Sequence, residues 1–371
     1  LKAWPLLGVS VVQGIIFLAH WLLYSTCIYF APVLSATARA DLRMGLLIAA
    51  FSFVPAALLS FRYANPLLSF FYRAAVIWLG FAHFLFLAAI AAWPVWLMVR
   101  LSGADSPAVR MGIGGLFAAA ALAAGVWGLV NARWTRVRRF SVRLPNLPEA
   151  WRGRRAVLLS DLHLGNVNGE RFSRRMARLA AEIGPDIVFL PGDLFDGVKG
   201  DLDRLLAPLR ALRPPLGIYF ASGNHEEFGD PARYLEPIAR AGIRILANER
   251  VTVDGMHIAG VSYRDSVHPL RLRALLEQMH LNNGYPSILL HHVPSRLRIV
   301  EQAGVALQLS GHTHGGQLFP YDWIARSIFR EFTHGLNRFG ALQVYTSCGA
   351  GTWGPPMRVG TYPEIVALEF E

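Results

Sequence analysis

The chain has 371 residues, 53% of them hydrophobic and only 16% charged, with a mean hydropathy of +0.35. That balance excludes an ordinary water-soluble globular protein, and the absence of any long polar tract excludes a disordered one. A net charge of +11 suits nucleic acid or anionic lipid, but no RNA-binding or helix-turn-helix signature accompanies it, so nucleic acid is not an expected partner.

The apolar excess is confined to the first third, where seven basic residues and two acids occur up to Asn131. Stretches 7–33, 44–61, 74–99 and 111–130 approach or exceed the roughly 20 residues that cross a bilayer. The first is too long for the core of a cleaved signal peptide and no clean cleavage pattern follows it. Trp4, Trp21, Trp78, Trp93, Trp96, Trp127 and Trp134 fall in or beside these stretches, several near the ends, as indoles at a lipid–headgroup boundary do. His20 and His83, inside them, predict interhelical hydrogen bonds in preference to a polar pathway. With four spans, Lys2, Arg62, Arg73, Arg133, Arg136, Arg138, Arg139 and Arg143 share one side, against Arg39, Arg43, Arg100 and Arg110 on the other. The positive-inside rule then puts the rest of the chain in the cytoplasm. Residues 1–134 are expected to form a transmembrane domain of about four helices and residues 135–371 a globular domain.

From residue 140 the pattern changes. Residues 140–144 alternate like an edge strand, and Pro145 and Pro148 mark a turn. Short β-rich runs at 155–160, 186–190, 217–222, 287–291 and 306–310 alternate with helical patterns at 171–182, 201–212, 231–241 and 270–281. Asp254-Gly255 between apolar runs signals a hairpin over 251–261. Strands at 342–346 and 365–370 complete an α/β architecture. Cys27 and Cys348 form neither a disulfide framework nor a zinc motif.

Five polar motifs close the apolar runs: Asp161-Leu162-His163, Gly192-Asp193, Gly223-Asn224-His225-Glu226, His291-His292 and Gly311-His312-Thr313-His314. Carboxylate, amide oxygen and imidazole together suit small divalent cations, and ligands of α/β folds gather beyond the carboxyl ends of strands. A lone Asp or His at a strand end is usually structural; five in series are not.

In this order the motifs resemble the calcineurin-like metallophosphoesterase superfamily, over residues 140–371. Gly349-Ala350-Gly351-Thr352 and Pro363-Glu364-Ile365 are similar to a membrane-associated bacterial branch that includes UDP-2,3-diacylglucosamine pyrophosphate hydrolases and related phosphodiesterases. The resemblance implies a two-sheet αββα sandwich flanked by helices and two divalent metal ions, manganese first, with iron or zinc as options. Asp161, His163, Asp193 and His314 would hold one; Asp193, Asn224, His292 and His312 the other, with Asp193 bridging. Water activated there would attack phosphorus in line, and His225 would stabilise the developing charge or protonate the leaving oxygen. The Val293-Pro294 that follows favours His292 over His291. Asp196 either orients a ligand or caps and packs; Glu226 is structural or supports a ligand.

The implied activity is hydrolysis of a phosphate ester or pyrophosphate in a lipid-linked substrate of the UDP-diacylglucosamine type, at a bacterial inner membrane. A membrane-anchored nucleotide or cyclic-nucleotide phosphodiesterase and a non-catalytic scaffold or sensor are the other readings. Loss of Asp161, Asp193, Asn224 or His312 would mark the scaffold, and none is missing. Trp323, Ile324, Ile328, Phe329 and Phe332, with Arg326 and Arg330 nearby, would share one helical side. Such a helix either lies on the bilayer surface or packs on the core, and periodicity alone does not choose.

Overall fold

The computed structural model describes residues 3–371 apart from 198, 199 and 229; Lys2 and Lys199 lie outside the described residues. The chain divides into two units, residues 1–130 with 354–357, and residues 131–353 with 358–371.

The first unit is built on α1 (Ala3–Phe30), α2 (Ala36–Arg62), α3 (Pro66–Leu101) and α4 (Pro107–Arg133), all long and apolar enough to cross a membrane. Their large outward side chains, Leu18, Ile48, Phe70 and Leu116 among them, are exposed and apolar, as lipid-facing surfaces must be. Two helices start about eight residues before the apolar runs do, because polar caps mark the ends. Ser35 accepts from the Ala38 N–H and Asn65 from the N–H groups of Leu67 and Leu68. The Trp78 indole donates to His20 Nε2 at 2.9 Å, and Trp93 to the Thr26 hydroxyl at 3.1 Å, so polar groups of α1 and α3 satisfy each other across the helix pair.

The second unit contains β1 (Arg136–Val142), β2 (Arg155–Leu158), α5 (Glu170–Ile183), β3 (Ile187–Leu190), α6 (Leu202–Arg210), β4 (Ile218–Phe220), α7 (Asn224–Glu227), α8 (Ala232–Arg240), β5 (Arg244–Ile245), β6 (Glu249–Val253) and β7 (Met256–Gly260). It continues with α9 (Tyr263–Ser266), α10 (Pro269–Met279), β8 (Ser287–Leu290), α11 (Leu297–Gln302), β9 (Leu307–Ser310), α12 (Tyr321–Phe329), β10 (Gly335–Phe339), β11 (Leu342–Thr346) and β12 (Glu364–Phe370). Two six-stranded sheets result, ordered β1-β12-β2-β3-β4-β5 and β10-β11-β9-β8-β7-β6. Strands β2, β3 and β4 run parallel, as do β7, β8 and β9, so within each sheet these carboxyl ends point one way.

The sheets pack face to face through Leu158, Phe189, Ile258, Leu290, Leu309 and Leu368. Helices α5, α6 and α8 cover the outer face of the first sheet, and α10 and α11 that of the second, giving the αββα sandwich. Strands β3 (Ile187–Leu190) and β4 (Ile218–Phe220) read as continuous apolar runs because both faces are buried, whereas β9 carries the buried polar side chains of Gln308 and Ser310. The hairpin of β6 and β7 turns at Asp254-Gly255, both with positive φ.

Two expectations shift. The edge strand β1 begins at Arg136, four residues early, and pairs in parallel with β12. The aromatic stripe after the fifth motif is split: α12 stops at Phe329, a 3-10 turn follows, Phe332 and Ala325 are buried, and Trp323, Ile324 and Ile328 are exposed.

Candidate metal centre

Strands of three or four residues stop short because the residues after them leave extended backbone. Asp161 (φ 52°), His163 (46°), Asp193 (51°), His312 (71°) and His314 (49°) all lie in the left-handed region, which non-glycine residues occupy at a cost and which Asp and His tolerate better than most. Two glycines serve close approach instead. A β-carbon on Gly223 would overlap Asp193 Oδ1, and one on Gly311 would overlap Ser160 Oγ and Asp161 Oδ2.

The loops are knitted to one another. The Asp161 N–H donates to Gly192 O at 3.2 Å, His163 N–H to Asp193 O at 3.0 Å, and Gly311 N–H to His292 O at 2.9 Å. Glu226, fully buried, accepts from the N–H groups of Asp193, Leu194, Phe195 and Gly223 at 2.8 to 3.0 Å. It thereby staples the loop after β3 to the loop after β4. Burial and the Asp193 charge push its carboxyl up to about 7.

All the predicted donors come together. His163 Nε2 lies 3.0 Å from His314 Nε2, which is 3.5 Å from Asp161 Oδ1. Asp193 Oδ2 lies 3.8 Å from His163 Nε2 and 3.2 Å from His292 Nε2. His312 Nδ1 and Asn224 Oδ1 are 3.0 Å apart. Among the described residues, three groups have donor atoms within 4.8 Å of one another: Asp161, His163 and His314; His163, Asp193 and His225; and Asp193, His292 and His312. Asp193 stands in two of them. Asp161, His163, Asp193, His292 and His314 are buried, while Asn224, His225 and His312 are partly open, so the cluster has one accessible side.

Burial and charge act on Asp193 and His292 in opposite directions. Burial would raise Asp193, but the neighbouring His292 charge holds it far below the usual carboxylate range. His292 in turn is lowered by burial yet carried up to about 10 by Asp193. Burial pushes Asp161 up, His312 down to about 4 and His314 well below the ordinary imidazole value. The proton on His292 is thus the countercharge to a buried carboxylate. His292 Nε2 has no aligned hydrogen-bond partner despite complete burial, which in native proteins calls for an explanation. Oxygen and imidazole donors around such an atom fit divalent cations.

Neighbouring residues sort themselves by contact. Asp196 Oδ1 faces His163 Nδ1 at 3.5 Å, both buried. His291 belongs to none of the three groups and is held neutral, down to about 3, by burial and the His292 charge. His225 sits edge-on to His163 with ring centres 4.7 Å apart, and its backbone N–H donates to Asp193 Oδ1.

Two residues were not anticipated. Arg358, fully buried, donates to the carbonyl oxygens of His314, Cys348, Gly349, Gly351 and Tyr362 at 2.6 to 3.3 Å. It fixes the loop that backs His314; its signal was a single charge in a run rich in glycine and proline. Tyr263 stands 6.5 Å from the rings of both His292 and His312, after a strand end with no polar motif to mark it.

Residues 154–316 match the calcineurin-like phosphoesterase family. The chain is 35% identical over 262 residues to a Danio rerio protein described as a transmembrane protein with metallophosphoesterase domain, covering 66% of this chain and 59% of that one. It is 32% identical over 242 residues to an uncharacterized metallophosphoesterase of Campylobacter jejuni, 63% of either chain. An Aquifex aeolicus relative of the same description is 31% identical over 250 residues, 66% of this chain and 95% of its own. The chain therefore spans about three fifths of the Danio and Campylobacter relatives.

Proposed function

We propose that this chain, which belongs to the calcineurin-like phosphoesterase family, is a membrane-anchored, metal-dependent hydrolase of phosphate esters or pyrophosphates acting on a lipid-linked substrate. Residues 1–134 are the anchor and 135–371 the catalytic domain, on the cytoplasmic side by the arginine bias. The observation that carries the reading is the convergence of donors from five strand ends of two sheets on the shared carboxylate of Asp193. Support for the lipid-linked part is the set of four helices long and apolar enough to cross a membrane.

Asp161, His163, Asp193 and His314 would hold one divalent cation and Asp193, Asn224, His292 and His312 a second. Such ions would supply Lewis acidity and bring water into the range where it ionises near neutral pH. The chain does the rest. Asp193 joins the two donor sets, and Asn224 adds an oxygen without cancelling positive charge. His225, lowered by burial, stays a neutral ring on the open side, where its N–H can steady a phosphoryl or leaving oxygen. Asp196 sets the orientation of His163.

The test is hydrolysis by purified full chain in nanodiscs, loaded with manganese, iron or zinc, across lipid and soluble phosphoesters. Turnover that vanishes on chelation and is highest on lipid substrates is expected. No hydrolysis with any metal would sink the reading; turnover confined to soluble nucleotides would remove its lipid part.

A further inference from the structure

We propose that the exposed apolar face of α12 and the aromatic rim of the metal centre dock into the headgroup boundary of a lipid bilayer, where they receive the apolar part of an amphiphilic phosphoester. The substrate half rests on the phosphoesterase reading above; the membrane half stands on the surface and on the helices suited to cross a bilayer.

Trp323, Ile324 and Ile328 are 64%, 53% and 64% exposed. Single exposed apolar residues are ordinary, but a contiguous set marks an interface. The face is fastened to the fold from beneath. Ala325 and Phe332 are buried beneath it, and the Thr313 hydroxyl, inside the fifth motif, donates to Thr333 O at 2.6 Å. The same element reaches the metal centre, since the Phe329 ring lies 6.1 Å from that of His312. Phe228, 63% exposed, lies 5.8 Å from His225, and Tyr263 flanks His292 and His312. Three aromatic rings thus border the partly open side of the cluster. A wholly polar phosphoester gives them nothing to pack against.

A bilayer is the occupant that the rest of the chain supplies. Four of its helices are suited to cross one, and only two residues separate the end of α4 from β1. Arg326, Arg330 and Arg138 are exposed on or near the face, with Glu331 the exposed acid among them; Arg326 and Arg138 both act on His334. Guanidinium groups beside exposed indole and aliphatic side chains match lipid phosphates over acyl chains.

The full chain, with Cys27→Ser, would carry an environment-sensitive fluorophore on Ile328→Cys and be reconstituted into phosphatidylcholine–phosphatidylglycerol vesicles with or without lipids bearing a nitroxide high on the acyl chain. Quenching by about half is expected, as for side chains about 5–10 Å below the surface, with the same result for Ile324→Cys and none for Arg178→Cys on α5. Probes at 324 and 328 that behave like the one at 178 overturn the membrane half and leave the face to a protein partner. For the substrate half, Ile328→Glu should lower the ratio of turnover on a vesicle-embedded phosphoester to turnover on a soluble aryl phosphodiester by about tenfold. An unchanged ratio overturns it. Absence of hydrolysis of either substrate by the unmutated chain defeats the phosphoesterase reading and the substrate half together, while the quenching result stands.

Discussion

At the carboxyl ends of β2, β3 and β4 the first sheet presents Asp161, His163, Asp193 and Asn224, whereas β8 and β9 of the second present imidazoles alone, His292, His312 and His314. All the formal negative charge of the cluster therefore comes from one sheet. The other contributes neutral, directional donors, one of which, His292, takes a proton only because Asp193 faces it. The difference suggests a division of labour, in which the first sheet attracts cations and the second fixes where they sit.

The largest test of that division sets the sheets against each other. Asp193→Asn removes the one carboxylate common to both proposed donor sets, so both proposed ions are expected to be lost and turnover to fall on the order of a thousandfold. His292→Asn removes one imidazole and should cost one ion. Metal content by atomic emission, read beside turnover, separates the two; equal loss in both variants would break the comparison. Next in size is His225→Asn, which belongs to the first sheet but to neither proposed donor set. Turnover should drop on the order of a hundredfold with metal content unchanged, and co-loss of metal would make His225 a ligand.

Much of this site was legible because a short, mostly apolar strand is followed in the chain by a polar stop, often with a glycine between them, as where Ile187–Leu190 leads to Gly192-Asp193. Asp161, Asp193 and His314 could be named from that rhythm. Their left-handed backbone could not, since it is imposed by loops of five strands meeting at once and leaves no periodic trace. Arg358 was invisible for a related reason: its carbonyl partners lie on loops that only the fold brings together. Strand β5 has two residues and β10 is a polar edge strand, so neither carries an apolar run. Helix starts were missed by two turns at α2 because Arg39, Asp41 and Arg43 make its first turns polar, and the cap at Ser35 marks the boundary instead.

A smaller effect is expected from Asp196, whose carboxylate faces the Nδ1 of His163, the lone imidazole that the first sheet gives to the donor sets. Asp196→Asn should weaken metal affinity by about 10- to 100-fold while leaving the fold intact. Competition with a fluorescent chelator reads it directly. No change would show that backbone geometry alone aims His163.

The smallest effect sharpens the comparison most, because it follows one proton between the sheets. His292 lies above its ordinary value of 6.5, at about 10, through the charge of Asp193 outweighing burial. In the metal-free protein the stabilisation that His292 draws from its retained proton is fully present below pH 6.5 and is lost as pH rises through about 10, whereas that of Asp193, whose carboxyl is held low, is lost on the acid side as pH falls below the ordinary carboxylate range. A cation needs the ring neutral, so binding at pH 7 must expel about one proton, and apparent affinity should rise about tenfold per pH unit over that window. Manganese titrations at pH 7 and 8, in buffers of different ionisation enthalpy, give slope and proton count independently. In Asp193→Asn the ring loses the charge that holds its proton, so any residual binding should show a flattened slope. A slope that persists would place the proton on another group and undo the assignment of charge to the first sheet.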